Sequence, residues 1–386
     1  MDINNGHLSR QMEQQNLANN KTLIIVWEFP PGPGGIGKHA YSFSRALADQ
    51  QFDVTILTSA DYVGHSEIEH FDKTHANLNI IRVYGWFLFK YINRFFQTFY
   101  YCLKLKPEHV ICSGRTALWL TPFIQFITNN QTRISVFLHG SEIQMKGLLN
   151  RYLTYYSLRL ADRIYCVSSF TKSLLPYKLQ MKRNVFVLSN GLNLDILRKN
   201  RPHLDALYSG SPTLLTVGQL TRRKGQHRVI NALPELVKIW PKIVYHMVGI
   251  ETNRAELAML AKKLGVERNV FFHGRLKESS EVYNAYSSTD VFIMLSENQD
   301  DGDVEGFGIA ILEANFFGQP AVGARGCGIE DAIKEGVNGY LVDGDNAQEI
   351  HVAVMKCLER RGDMESGIKD WVKDHDWNQL ILRFLE

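Results

Sequence analysis

Long apolar runs are missing from this sequence. None reaches eighteen residues, so no segment is expected to cross a bilayer as a helix. A secretory leader is missing as well. Residues 1–20 are polar and rich in Asn and Gln, without the basic-then-apolar order of a signal peptide, and they read as a mobile tail. Cysteine is scarce. Cys102, Cys112, Cys166, Cys327 and Cys357 have neither metal-ligand nor redox spacing, which favours a reduced, cytoplasmic setting and no bound metal. Beyond the tail no internal repeat or low-complexity stretch stands out. The net charge is only +3, and no nucleic-acid partner is expected.

What is present is an ordinary globular composition, 45% hydrophobic and 22% charged, over 386 residues. That length fits two domains better than one core. The charge is uneven. Residues 1–200 hold 22 Lys and Arg against 13 Asp and Glu, and the remainder holds 21 against 27. The first half therefore either faces something anionic or carries an ordinary solvated surface.

Short apolar, β-rich runs alternate with helical stretches from residue 22 onward. Runs at 22–27, 54–57, 80–83, 109–112, 134–138, 164–167 and 185–188 read as strands, with helices at 36–49 and 117–128 among those between them. The rhythm breaks at 192–211, where Asn, Arg, Pro, Gly and Ser crowd together. It resumes with strands at 214–217, 244–248, 270–272, 291–295, 321–322 and 340–342, and helices at 226–238, 254–264 and 309–317. The expected fold class is α/β. It comprises a tail (1–20), a first doubly wound, Rossmann-like domain (21–205), a second (206–365), and a C-terminal helix (366–386) crossing back to the first domain. Trp371, Trp377, Leu380, Ile381, Phe384 and Leu385 give that last stretch an apolar face too large for an exposed tail. Ligands of such sheets sit at the carboxyl ends of the strands, so two such domains facing across a cleft would place the best site there.

Three loops carry chemistry. Residues 30–39 read PPGPGGIGKH. Gly32, Gly34 and Gly37 have dinucleotide-loop spacing, but residues 27–31 separate them from the strand and two prolines stiffen the approach. Gly32 and Gly37-Lys38 approach a P-loop, but His39 stands where Ser or Thr would hold Mg²⁺. What remains is a helix start at Gly35 and Gly37, whose backbone N–H groups suit a phosphate or a hydroxyl-rich ligand; a plain turn is the alternative. The second loop is Arg222-Arg223-Lys224-Gly225, after a strand and before a helix, where three cations suit a diphosphate. The third, Asp303-Val304-Glu305-Gly306-Phe307-Gly308, precedes a helix bearing Glu313. There the glycines favour an anion and Glu313 can accept two hydrogen bonds from a ribose diol. Both carboxylates are expected on one side, with Ile309, Leu312, Phe316 and Phe317 on the buried side. Asp301 and Asp303 form a D-x-D, discounted as a metal site because it does not follow a strand. His139, with Gly140 beside it at the end of the 134–138 strand, is a reasonable cleft residue.

In this order the motifs resemble those of the retaining GT-B glycosyltransferases of family 4. The ordered set is the GGIG loop, His139-Gly-Ser-Glu142, Ala161-Asp162 with Cys166-Val-Ser168-Ser169, Asn190-Gly191, the residue 217–225 run, Phe272-His-Gly274, and Glu305 with Glu313. The resemblance covers nearly all of the chain after the tail. It implies transfer of a sugar from a UDP- or GDP-sugar to a glycan or lipid-linked acceptor, as in bacterial surface polysaccharide or glycolipid synthesis, with no cofactor and no metal. It gives Lys224 and Arg222 or Arg223 the donor diphosphate, and Glu313 the ribose. Glu305 with the amides of Gly306, Phe307 and Gly308 takes the transferred sugar and a phosphate. His139 takes the place beside the anomeric carbon, and Gly35 and Gly37 border the phosphates. Two positions depart from the family: Gln219 stands where Arg is usual, and Gly140 where Asp or a similar residue is common. A nucleotide-sugar epimerase, a donor-binding protein without turnover and a nicotinamide dehydrogenase are the rival readings.

Residues 86–106 add a surface expectation. Phe89, Phe96, Tyr100 and Leu103 follow helical spacing, and Lys90, Arg94, Lys104 and Lys106 supply charge. The segment reads either as domain core or as a peripheral contact with an anionic membrane, at the inner face of the cell membrane.

Overall fold

The structure is a computed structural model that describes residues 20–61, 63–86, 89–199 and 208–386. The expected tail, apart from Asn20, and the expected boundary near residue 205 lie outside the described residues. The chain divides into two compact units. One takes Met1–Val167, Leu175–Leu188 and Ile381–Glu386; the other takes Ser168–Leu174 and Ser189–Leu380.

The first unit is built on seven strands: β1 (Lys21–Val26), β2 (Asp53–Ser59), β3 (Asn79–Val83), β4 (His109–Ser113), β5 (Arg133–Leu138), β6 (Arg163–Cys166) and β7 (Val185–Val187). All neighbours pair parallel, in the order β3-β2-β1-β4-β5-β6-β7. β1 shows why. After Lys21, Thr22 and the four apolar residues to Val26 are all buried, as a strand covered by helices on both faces requires. The strand order reverses direction between β1 and β4. The loops leaving those two strands therefore open the crevice where ligands of such sheets bind.

The second unit repeats the plan with β8 (Thr213–Val217), β9 (Val244–Val248), β10 (Val270–Phe272), β11 (Val291–Met294), β12 (Ala321–Ala324) and β13 (Gly339–Val342). Its order is β10-β9-β8-β11-β12-β13, again parallel. The reversal falls between β8 and β11, the strands that lead into the basic and acidic loops. Leu214, Tyr245, Met247, Ile293 and Val322 of this sheet join Val229, Leu233 and Leu236 of the helix Gln226–Ile239 in one core.

Two helices differ from the sequence expectation. Residues 117–128 form two helices, Arg115–Leu118 and Thr121–Ile127, the second opened by Pro122 in its first turn. The helix Ile309–Phe316 is not one-sided. Ile311, Leu312, Glu313, Ala314 and Asn315 are all buried, while Ile309, Phe316 and Phe317 are half-buried. Such a run lies inside a core, and β11, β12 and the helices Ser279–Ser287 and Arg361–Asp374 surround it.

At the C-terminus the helix Trp377–Leu385 contributes to both cores. Trp377 and Leu380 are buried within the second unit, where Leu380 lies so close to Gly191 that a Cβ there would come within 2.7 Å of it. In the first unit the Phe384 ring packs 4.9 Å from Phe43 and 5.0 Å from Tyr165.

Candidate functional site

The second unit gathers the charged loops. β8 runs into a single turn, Arg222–Lys224, then into Gly225 and the helix Gln226–Ile239. Gly225 sits at φ 74, and a Cβ there would lie 1.8 Å from the Leu295 carbonyl oxygen, so only glycine fits. That close approach brings the loops after β8 and β11 together. The Glu297 N–H donates to the Arg223 carbonyl at 2.9 Å, which fixes their register.

The cations then divide. Lys224 Nζ donates to Glu305 Oε2 at 2.7 Å, and Arg223 donates to the same oxygen through Nη1. Arg223 Nε also donates to Asp303 Oδ2 at 2.9 Å. Both cationic side chains are largely covered, 15% and 21% exposed, whereas Arg222 is 61% exposed and reaches Glu297 instead, at 3.1 Å. Burial alone would raise the Glu305 carboxyl, but the Lys224 and Arg223 charges outweigh it and hold it at about 2. Glu305 is therefore ionised at neutral pH. Gln219 turns outward and donates to Thr252 Oγ1 at 2.8 Å. In the D-x-D, Asp303 is engaged by Arg223, and Asp301 accepts the Asp303 N–H at 3.0 Å.

The loop after Glu305 offers backbone. Phe307 is buried, so its side chain belongs to the core and its amide is what remains for a ligand. Gly308, at φ 92, caps the helix Ile309–Phe316 without any side-chain hydrogen bond at the cap. Because that helix starts only at Ile309, Glu305 belongs to the loop and Glu313 follows one turn into the helix. Glu313 is buried, and one of its oxygens accepts the Tyr286 hydroxyl at 2.7 Å. Tyr286 was not singled out from the sequence; 27 residues separate the two.

In the first unit the crevice between β1 and β4 holds the other expected residues. Gly35 opens the helix Gly35–Asp49, and a Cβ on it would meet nothing within 4 Å. Gly37 is tight against the Glu28 and Phe29 backbone, at 3.1 Å. A Cβ on Gly34 would lie 2.6 Å from Glu28 Oε2, so a carboxylate stands over this turn. That charge favours hydroxyl groups over phosphate at the GGIG loop. His139 Nε2 lies 2.9 Å from Ser113 Oγ, at the end of β4, and its ring sits edge-on to buried His39, with centroids 5.0 Å apart. Burial lowers the His139 pKa to about 3, so the ring is neutral at physiological pH. Gly140 has φ 113, a region that glycine adopts freely and Asp does not, which accounts for the missing carboxylate there. Ser113, Glu28 and His39 gave no sequence signal of a site role.

Glu142 anchors this loop by accepting the His139 N–H at 3.0 Å. Burial pushes its carboxyl up to about 7, although the backbone N–H groups of Glu142, His139 and Gly140 oppose the shift. An acid raised in the folded state keeps a proton that the unfolded chain has lost, so stability falls as pH rises from about 4.5 through 7. Glu142→Gln removes that ionisation. Its melting temperature should gain on the wild type between about pH 5 and about pH 8. Melting curves with a constant gap across that range would contradict the assignment.

Comparison with known proteins follows the same division of the chain. A family model described as Glyco_transf_4, Glycosyltransferase Family 4, matches residues 33–196, and one described as Glycosyl transferases group 1 matches residues 202–370. A GDP-mannose-dependent alpha-(1-6)-phosphatidylinositol monomannoside mannosyltransferase of Mycolicibacterium smegmatis is 33% identical over 45% of this chain, which spans only 47% of that protein's length. A GDP-mannose-dependent monoacylated alpha-(1-6)-phosphatidylinositol monomannoside mannosyltransferase of Corynebacterium glutamicum is 28% identical over 89% of this chain and 90% of its own. Among solved structures, Anabaena HepE in complex with UDP and glucose superposes with a TM-score of 0.71 at 17% identity, over 95% of this chain and 99% of its own. Two parallel α/β sheets with these loops at their reversal points, matched by both family models in chain order, place the chain among the group 1 glycosyltransferases of family 4, with their GT-B fold.

Proposed function

We propose that the protein transfers a sugar from a nucleotide-sugar, UDP- or GDP-linked, to a glycan or lipid-linked acceptor, with retention and without a metal. The observation that carries this reading is the convergence of Lys224 and Arg223 on Glu305 at the reversal point of the second sheet. Two covered cations there fit a donor diphosphate, and the mannosyltransferase relatives support a nucleotide-sugar donor. As the bond from the anomeric carbon to the diphosphate oxygen breaks, its electron pair stays on that oxygen. Lys224 and Arg223 then stabilise the growing negative charge. The acceptor oxygen bonds to the same carbon from the same face, and its proton passes to the leaving phosphate. Glu305 and the amides of Gly306, Phe307 and Gly308 hold the transferred sugar and a phosphate, with His139 neutral beside the anomeric carbon. The carboxylate over the GGIG loop suits acceptor hydroxyls.

Glu313 holds the ribose diol, and Tyr286 fixes its orientation. Tyr286→Phe keeps the ring packed against Phe292 and Phe317 but removes the hydroxyl. Donor KM should rise about tenfold with kcat nearly unchanged, the loss of one hydrogen bond to a charged group. An unchanged KM would remove Glu313 from the donor site.

The test of the function is product analysis by NMR with UDP- and GDP-hexoses, with and without glycan or lipid acceptors, in a metal chelator. The expected product is a new glycoside with the donor's anomeric configuration. An epimerised sugar formed without any acceptor would establish the rival epimerase instead, and binding without turnover would mark a donor-binding protein.

A further inference from the structure

The helix Phe89–Leu105 is buried the wrong way round. Its inward stripe is Arg94, Thr98 and Cys102, and its outward stripe is almost wholly aromatic and aliphatic. Arg94 turns in because it pairs with Asp61 and lies over the Trp27 ring at 4.8 Å. Lys90 lies 3.7 Å from the same Asp61. Of the four bases of this stretch, Lys104 and Lys106 are left unclaimed by this acid.

The inversion spreads to the neighbouring helices. Thr121–Ile127 packs beside Phe89–Leu105, with the Phe95 and Phe123 rings 4.0 Å apart, and beside Leu148–Leu160 on its other side. Phe89, Phe96, Phe126, Leu148, Leu149 and Tyr152, spread over these three helices, are 60–86% exposed. No Asp or Glu occurs in residues 81–107, 109–141 or 143–161. Exposed bases remain at Lys104, Lys106, Arg115, Lys146, Arg151 and Arg159, with exposed Glu108 the nearest acid in sequence to the first two. A single unit rarely leaves so broad an apolar surface bare.

We propose that this three-helix face seats the protein on an anionic phospholipid bilayer, the rings and leucines entering the headgroup region while the lysines and arginines meet lipid phosphates. The choice of partner follows from charge. A protein partner would be matched with acids as well as bases, whereas a face with bases and no acids complements a uniformly anionic surface. The assignment does not depend on sugar transfer.

The test is flotation of the full chain with phosphatidylcholine vesicles, with and without phosphatidylglycerol, over a salt series. The wild type should float with the phosphatidylglycerol vesicles at low salt and progressively less as salt rises. Phe96→Ser, Phe126→Ser and Leu148→Ser combined should weaken binding about tenfold or more without lowering the melting temperature, since these side chains are exposed. Lys104→Glu with Lys146→Glu should remove the salt-dependent part. The proposal is overturned if the wild type stays with the free protein at low salt, or if the serine variant floats like the wild type. It is equally overturned if sedimentation shows a dimer that the serine variant breaks while neither protein binds vesicles.

Discussion

Lys224→Ala should lower kcat by about 10²–10³, or ~2.7–4 kcal/mol, with a smaller change in donor affinity. A diphosphate already carries charge when bound, and it gains more as the glycosidic bond breaks. A cation fixed beside it is therefore felt most in the transition state. Lys224 is fixed: its stem crosses Gly218, with Cε 3.4 Å from where a Cβ would stand, and its ammonium is held by Glu305. Burial draws the ammonium below the ordinary lysine value, and Glu305 opposes that fall. Arg223→Ala should be nearly as severe, because Arg223 is the second covered cation at this oxygen. Arg222→Ala should be almost silent, since Arg222 points to Glu297 and solvent. Gln219→Arg should restore part of the Arg223→Ala loss. A Lys224→Ala enzyme retaining more than about half of the wild-type rate would contradict the diphosphate assignment, because loss of one such donor ordinarily costs far more.

Removing residues 370–386 should leave a protein that aggregates. Trp377, Leu380, Ile381 and Phe384 are each at most 3% exposed, and they fill cores in both units. Losing a buried Phe or Trp costs ~3–5 kcal/mol and a buried Leu or Ile ~2–5 kcal/mol, so losing all four matches or exceeds the roughly 5–15 kcal/mol of net stability that a folded chain has. The point substitution Phe384→Ala gives a milder reading of the same contact. It empties the space between Phe43, Phe137 and Tyr165 and should lower the melting temperature by roughly 6–15 °C. A truncated chain with the wild-type melting temperature and monomeric behaviour would contradict this.

Both sheets were legible because their strands are short apolar and β-rich runs alternating with helical stretches, and such runs signal strands covered on both faces. The basic loop was legible because it follows the 214–217 run closely, and the acidic loop because its Glu and glycines stand just before the 309–317 helix. What the sequence hid depended on partners distant along the chain. The inward turn of Arg94 needs Asp61, 33 residues earlier, and helical spacing alone does not reveal that pair. The choice between Arg222 and Arg223 needs the single turn at Arg222–Lys224, which aims neighbouring side chains at different acids. That Glu305 lies in the loop and Glu313 on the following helix was legible, whereas the left-handed conformation of Gly308 at the helix cap was not. Glu28 became visible only through the closeness of Gly34.

The central claim is that the loops after β8 and β11 bind the diphosphate of a nucleotide-sugar. Calorimetric titration with UDP, UMP, GDP and GMP in a metal chelator tests it most directly. The account predicts that one diphosphate binds at least about tenfold tighter than its own monophosphate, since the second phosphate meets Lys224 and Arg223, and that Lys224→Ala with Arg223→Ala abolishes this difference. Equal affinity for diphosphate and monophosphate, or a preference that survives the double substitution, would contradict it.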